Sequence, residues 1–165
     1  MSDLNTNLAK ADGYLARFRS DGVLNHINGK AVPALDGDTF EIISPVDLKP
    51  LAQVARSKAA DVAAAAAAAK AAFPAWRAMV GEARKQLLHK IADAIEARAE
   101  EIAFVEAMDT GQSIRFMAKA AIRGAENFRY FADLAPKASD GQSLRAKGQV
   151  NMTTRTPIGP VGIIT

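Results

Sequence analysis

At the start of the chain, Leu4, Leu8, Leu15 and Phe18 fall roughly on one face at helical spacing, with Ser2 as an N-cap. They predict a helix that Gly13 weakens and that Ser20-Asp21-Gly22 ends. "HINGKAV" then predicts a hairpin, because Asn28-Gly29 suits a two-residue turn whose central positions both need positive φ. "GDTFEII", Gly37 to Ile43, reads as another strand, Pro45 to Pro50 as a turn, and Leu51 to Ala55 as a short alternating strand.

From Ser57 the period changes. Ser57 as a cap and the alanine run Ala63 to Ala69 predict a helix that Pro74 stops. Alanines bury little area each, so this helix has to lean on a larger body. Leu87, Leu88, Ile91, Ile95, Ile102, Val105 and Met108 continue at helical spacing, with a break near Arg98 to Glu100 and Gly111 as the C-terminal cap. A last helix is predicted from about Ser113 to Leu134, with Ile114, Met117, Ala121, Phe128 and Phe131 inward and Pro136 at its end. "KASDGQSLRAKGQ" is polar and loop-like. Val150 to Thr156 alternates as a strand with one solvated face, Pro157 and Pro160 bracket a turn, and Val161 to Thr165 has the apolar run of a buried strand. The order of strands, helical block and further strands predicts a mixed α/β fold.

Composition narrows the chemistry. The 165 residues are 49% hydrophobic and 24% charged, a globular mix that suits one domain. The net charge is +3, and basic residues interleave with acidic ones, so no footprint for nucleic acid appears. The chain has no cysteine, which excludes disulfides, thiolate metal sites and cysteine nucleophiles within it. No stretch is apolar enough to span a bilayer and no signal-peptide pattern stands at the start, so a cytoplasmic protein is expected. His26 and His89 have no serine or carboxylate at a spacing that suggests a triad, and both read as structural. The helical carboxylates alternate with Lys and Arg as a solvated face does, and no cluster of metal ligands emerges. Asp109 stands out: a carboxylate beside Gly111 at a helix end opposes the helix dipole. It reads either as an Asx turn with Thr110 and Gly111 or as an anchor for a cation or hydrogen bond.

Several segments together resemble a known family. "INGKAV", "TFEIISPVDLKPLAQVA", "AADVAAAAAAAKAAFPAW", "EARKQLLHKIADAIEARAEEIAFVEAMDTGQ", "NFRYFADLA" and "TPIGPVGIIT" match, in order and separation, the N-terminal third of NAD(P)-dependent aldehyde dehydrogenases. Within that family the likeness is nearest to enzymes acting on betaine-aldehyde-like and hydroxymuconic-semialdehyde-like substrates. The resemblance implies residues 1–149 as the N-terminal part of the cofactor-binding domain, 150–158 as an oligomerisation strand, and 159–165 as the first strand of an incomplete Rossmann-type sheet. It implies a homo-oligomer, dimer or tetramer, and an aldehyde substrate. Ile163, Ile164 and Thr165 match the strand end whose backbone lines the NAD or NADP pocket. Ile43 and Asp109 match positions that, in some members, supply oxygens to a structural monovalent cation, as a hard cation would accept.

The resemblance also implies that the chemistry lies elsewhere. Family members carry a Pro-Trp-Asn segment after the strand that Val161 to Thr165 matches, and its Asn helps form the oxyanion hole. The nicotinamide loops, the general-base Glu and the nucleophilic Cys follow later still. A nucleophile able to form a thiohemiacetal, oxyanion donors, a base and a positioned nicotinamide are all required. The expectation is therefore no catalytic residue in this chain, no strong cofactor binding, and no aldehyde oxidation by these 165 residues alone. The alternative is a stand-alone helical interaction module without catalysis.

Overall fold

The structure, a computed structural model, describes residues 4–138 and 141–164, without the side chain of Ala146. Helix α1 (Leu4–Asp21) is unbroken across Gly13, and Ser2 lies outside the described residues. Its end is stitched to a strand: Val23 donates to the Gln53 carbonyl at 2.8 Å, and Ala55 donates to the Val23 carbonyl at 2.9 Å. Strands β1 (Asn25–Ile27) and β2 (Lys30–Val32) form the predicted hairpin, with φ of 52° at Asn28 and 73° at Gly29. Strands β3 (Thr39–Ile43) and β4 (Pro50–Ala55) pair antiparallel, with a register shift between Ile42 and Ile43.

Helix α2 (Ala59–Ala78) departs from expectation at both ends. Its N-cap is Lys58, whereas the Ser57 hydroxyl donates to Asn25 Oδ1 at 2.6 Å. The cap is completed by the buried Asp61, whose carboxylate accepts from Lys58 N at 2.9 Å and from Leu35 N at 2.8 Å. Pro74 does not stop the helix. A proline removes one ladder bond, a cost that falls here in the last turns. Arg84 of the next helix answers the exposed carbonyls at that end, donating to Trp76 O at 3.2 Å and Met79 O at 2.9 Å.

Helices α3 (Gly81–Ala97) and α4 (Ala99–Thr110) break at Arg98, as the pattern predicted, and Gly111 caps α4 with φ of 73°. The last predicted helix is divided into α5 (Ile114–Met117) and α6 (Ala120–Leu134), followed by a 3-10 turn at Ala135–Lys137 that contains Pro136. Helices α3 and α6 run antiparallel. Lys85 and His89 reach Asp133, while Arg129 reaches Asp93 at 2.8 Å and Glu96 at 2.6 Å. Between these ion pairs Ala92, Ala125 and Ala132 are fully buried, and such small side chains let the helix backbones approach closely. A second core joins Ala11 and Leu15 of α1, Leu51 of β4, and Phe104 and Met108 of α4.

The polar stretch read as a loop contains strand β5 (Ser143–Ala146), which pairs antiparallel with β6 (Gln149–Met152). The strand expected over Val150 to Thr156 thus ends at Met152, and residues 153–164 have no regular structure. Val161 to Ile164 form no strand because no described residue offers them a ladder. Among the described residues the sheets are three antiparallel pairs, without a parallel Rossmann-type sheet. No described helix is long and apolar enough to cross a membrane.

Candidate functional site

The corner that carries Ile43 and Asp109 is built by the β3–β4 turn and the end of α4. Ser44 is fully buried there, and its backbone N–H donates to the Lys49 carbonyl at 2.9 Å. Val46 N donates to Ser44 Oγ at 3.1 Å, and Leu48 takes φ of 58° to close the turn. This turn lies on the α4 cap: a Cβ on Gly111 would stand 3.1 Å from Pro45 Cγ. Ile42 and Asp109 line one open cavity of about 240 Å³, whose other walls include Leu15, Phe18, Leu51 and Val105. The Ile43 side chain is half exposed and purely hydrocarbon, so its carbonyl is the one oxygen it could offer a ligand.

Asp109 makes no side-chain hydrogen bond or ion pair among the described residues, and the Asx turn is not formed by it. Thr110 takes the local role: its hydroxyl donates to Glu106 O at 2.7 Å and accepts from Gln112 N at 3.3 Å. Asp109 therefore stands as a lone carboxylate at a helix C-terminus beside apolar walls. No group of three or more His, Cys, Asp or Glu side chains among the described residues forms a metal site.

The residues matched to a cofactor pocket are arranged differently. Ile163 is 84% exposed and Ile164 is fully exposed, on a segment without a strand. Thr165 lies outside the described residues. Dinucleotides bind at the ends of paired parallel strands, beside a helix start. Among the described residues no parallel strand pair stands beside Ile163 and Ile164.

One pairing escaped the sequence pattern. His89 Nε2 lies 3.0 Å from Asp133 Oδ1, and Lys85 Nζ is equally close at 3.0 Å. The His89 and Lys85 contacts hold the Asp133 carboxyl below its usual range, and Asp133 raises the Lys85 ammonium in return. The two histidine partners are 44 residues apart in sequence, so no local spacing could have announced them. Their position across the exposed α3–α6 seam makes them a clamp between helices. Similarly, Lys10 and Tyr14 of α1 hold Glu100 of α4, with Tyr14 Oη donating at 2.8 Å. Lys10 first, then Tyr14, lowers the Glu100 carboxyl, and the hydrogen bond that Tyr14 gives Glu100 raises the tyrosine hydroxyl.

Residues 32–165 match the profile of the aldehyde dehydrogenase family. The chain belongs to that family. It is 36% identical over 141 residues to the NADP/NAD-dependent aldehyde dehydrogenase PuuC of Escherichia coli strain K12, covering 84% of this chain and 28% of that protein. It is likewise 36% identical over 148 residues to 2-hydroxymuconic semialdehyde dehydrogenase of Pseudomonas sp. strain CF600, covering 86% of this chain and 30% of that one. The crystal structure of HpcC from Thermus thermophilus superposes with a TM-score of 0.80 at 32% identity, over 84% of this chain and 27% of that chain. This aldehyde dehydrogenase chain thus spans about 28% of the length of the first of these relatives. Its mixture of helices and short strands is that of the N-terminal part of the family's structures.

Proposed function

We propose that this chain is the N-terminal part of an NAD(P)+-dependent aldehyde dehydrogenase that oxidises an aldehyde to a carboxylic acid, and that the 165 residues alone are inactive. The observation that carries the reading is a family match over residues 32–165 in a chain with no cysteine. Family membership names the reaction, and the missing thiol removes the nucleophile that aldehyde oxidation through an enzyme-bound intermediate requires. NAD or NADP is the oxidant of the whole enzyme, in keeping with the name of the PuuC relative. The helical and hairpin segments then support the cofactor domain, with residues 150–158 given to a homo-oligomeric contact in a cytoplasmic enzyme. The purified chain, assayed with NAD+ and NADP+ against a panel of aldehydes, is expected to form no NADH or NADPH above background. Turnover at a rate proportional to chain concentration would overturn the reading.

Ile43 and Asp109 belong to the same proposal as two ligands of one structural monovalent cation. Its support is the unpaired Asp109 carboxylate on the corner where the β3–β4 turn meets α4. Sodium or potassium should raise the melting temperature relative to choline at equal ionic strength, and D109N should remove the difference. Equal cation responses in the two proteins would remove Asp109 from the site.

A further inference from the structure

A cavity of about 660 Å³ lies where the end of α2, the start of α3, the 3-10 turn and the chain at Arg155 to Pro157 converge. Three arginines line it, Arg77, Arg84 and Arg155, and among the described residues no carboxylate does. Arg84 spends Nη2 on two backbone carbonyls, yet its Nε is buried without an acceptor. Arg77 and Arg155 are exposed and make no ion pair or hydrogen bond among the described residues. Elsewhere on this fold, guanidinium groups such as Arg98 and Arg129 meet carboxylates directly. A guanidinium is always charged and presents a planar fork of donors, so three around one groove form a field that an anion would relieve.

We propose that this groove binds a small organic phosphate monoester. A phosphate dianion presents three acceptor oxygens and can bridge more than one guanidinium, whereas a carboxylate is satisfied by a single fork. The remaining walls include Met79, Val80 and Pro157, apolar surface suited to the organic body of such an ester. The volume falls within the roughly 300–1,000 Å³ of small-molecule sites. The proposal is independent of the aldehyde chemistry, since it rests on the three arginines that line the groove.

Trp76 is the single tryptophan, and the Arg84 guanidinium lies 5.5 Å from its ring, so its emission reports on the groove. Phenyl phosphate titrated into the micromolar chain, at ionic strength fixed with potassium chloride, should change that emission saturably. It should bind about tenfold more tightly than benzoate, the carboxylate of similar body, by the greater number of charge-assisted bonds. R77Q and R155Q should each weaken phenyl phosphate about tenfold while circular dichroism stays unchanged. K90Q removes the same charge from an exposed position outside the groove and should leave binding as it was. Arg84 is left intact because its bonds to the end of α2 are structural. Benzoate binding as tightly as phenyl phosphate, K90Q weakening binding as much as R77Q, or no saturable change at all would overturn the proposal.

Discussion

Replacing Gly81 by alanine separates what local helix physics favours from what the packing permits. Alanine is the better helix former by about 1 kcal/mol in a helix interior, and Gly81 opens α3 without a positive φ. Local reasoning alone therefore makes G81A stabilising. The packing reverses the sign. A Cβ at Gly81 would stand 2.6 Å from Pro136 Cα and 2.8 Å from the Ala135 carbonyl oxygen, both backbone atoms. Carbon pairs settle at about 3.5–4.0 Å, and a backbone cannot rotate aside as a side-chain tip does. Forcing extra volume into such a contact costs about 1–3 kcal/mol, so G81A should be destabilised by about 1–2 kcal/mol after the propensity gain is allowed for. Gly124, inside α6 with nothing within 4 Å of its Cβ position, is the control. G124A should gain about 0.5–1 kcal/mol from propensity and a less flexible unfolded chain. Urea unfolding of the three proteins at micromolar concentration, followed by far-ultraviolet circular dichroism, reads both effects. The melting temperatures should part in opposite directions, by about 2–4 °C per kcal/mol for a chain of this size. A G81A protein stabilised as much as G124A would show that the start of α3 does not press on the 3-10 turn, and the reasoning would fail.

Further outcomes follow from the polar contacts. D61A leaves two part-buried N–H groups, those of Leu35 and Lys58, without their acceptor; it should cost about 1 kcal/mol and speed hydrogen exchange at both amides. Glu100 is lowered in the folded chain from its usual 4.5, so its contribution is present above that value and lost as pH falls through the folded pKa. E100Q should therefore show a shallower loss of melting temperature on acidification than the parent chain. The Lys10 ammonium is raised above 10.5 by Glu100, so the same variant should also lose less as pH rises through that folded pKa.

Much of the local structure was legible because its causes are local. Asn28-Gly29 specifies a tight hairpin by backbone conformation alone, and Gly111 closes α4 by the same freedom. The break at Arg98 follows from where the apolar period slips. Family membership was legible too, since it resides in the order and separation of segments, and it survived errors in individual elements. The β5 strand hid in a polar stretch because an exposed hairpin needs no apolar face to announce it. At the candidate corner, the sequence singled out Asp109 by its conflict with the helix dipole. Its apolar walls come from α1, β3 and β4, and no spacing encodes that.

The amino-acid sequence by itself determined the helices, the tight turns, the family, and the lack of a thiol to carry aldehyde chemistry. The helices and turns depend on residue type and on neighbours a few positions away, and the family on the order of segments along the chain. Only the tertiary structure decided that α2 runs through Pro74 and that Arg84 from the next helix meets the carbonyls of Trp76 and Met79 at its end. It decided that His89 meets Asp133, and that Arg77, Arg84 and Arg155 surround one groove. It also left Val161 to Ile164 without a strand, for a strand requires a partner and the residue pattern can specify only the readiness to accept one.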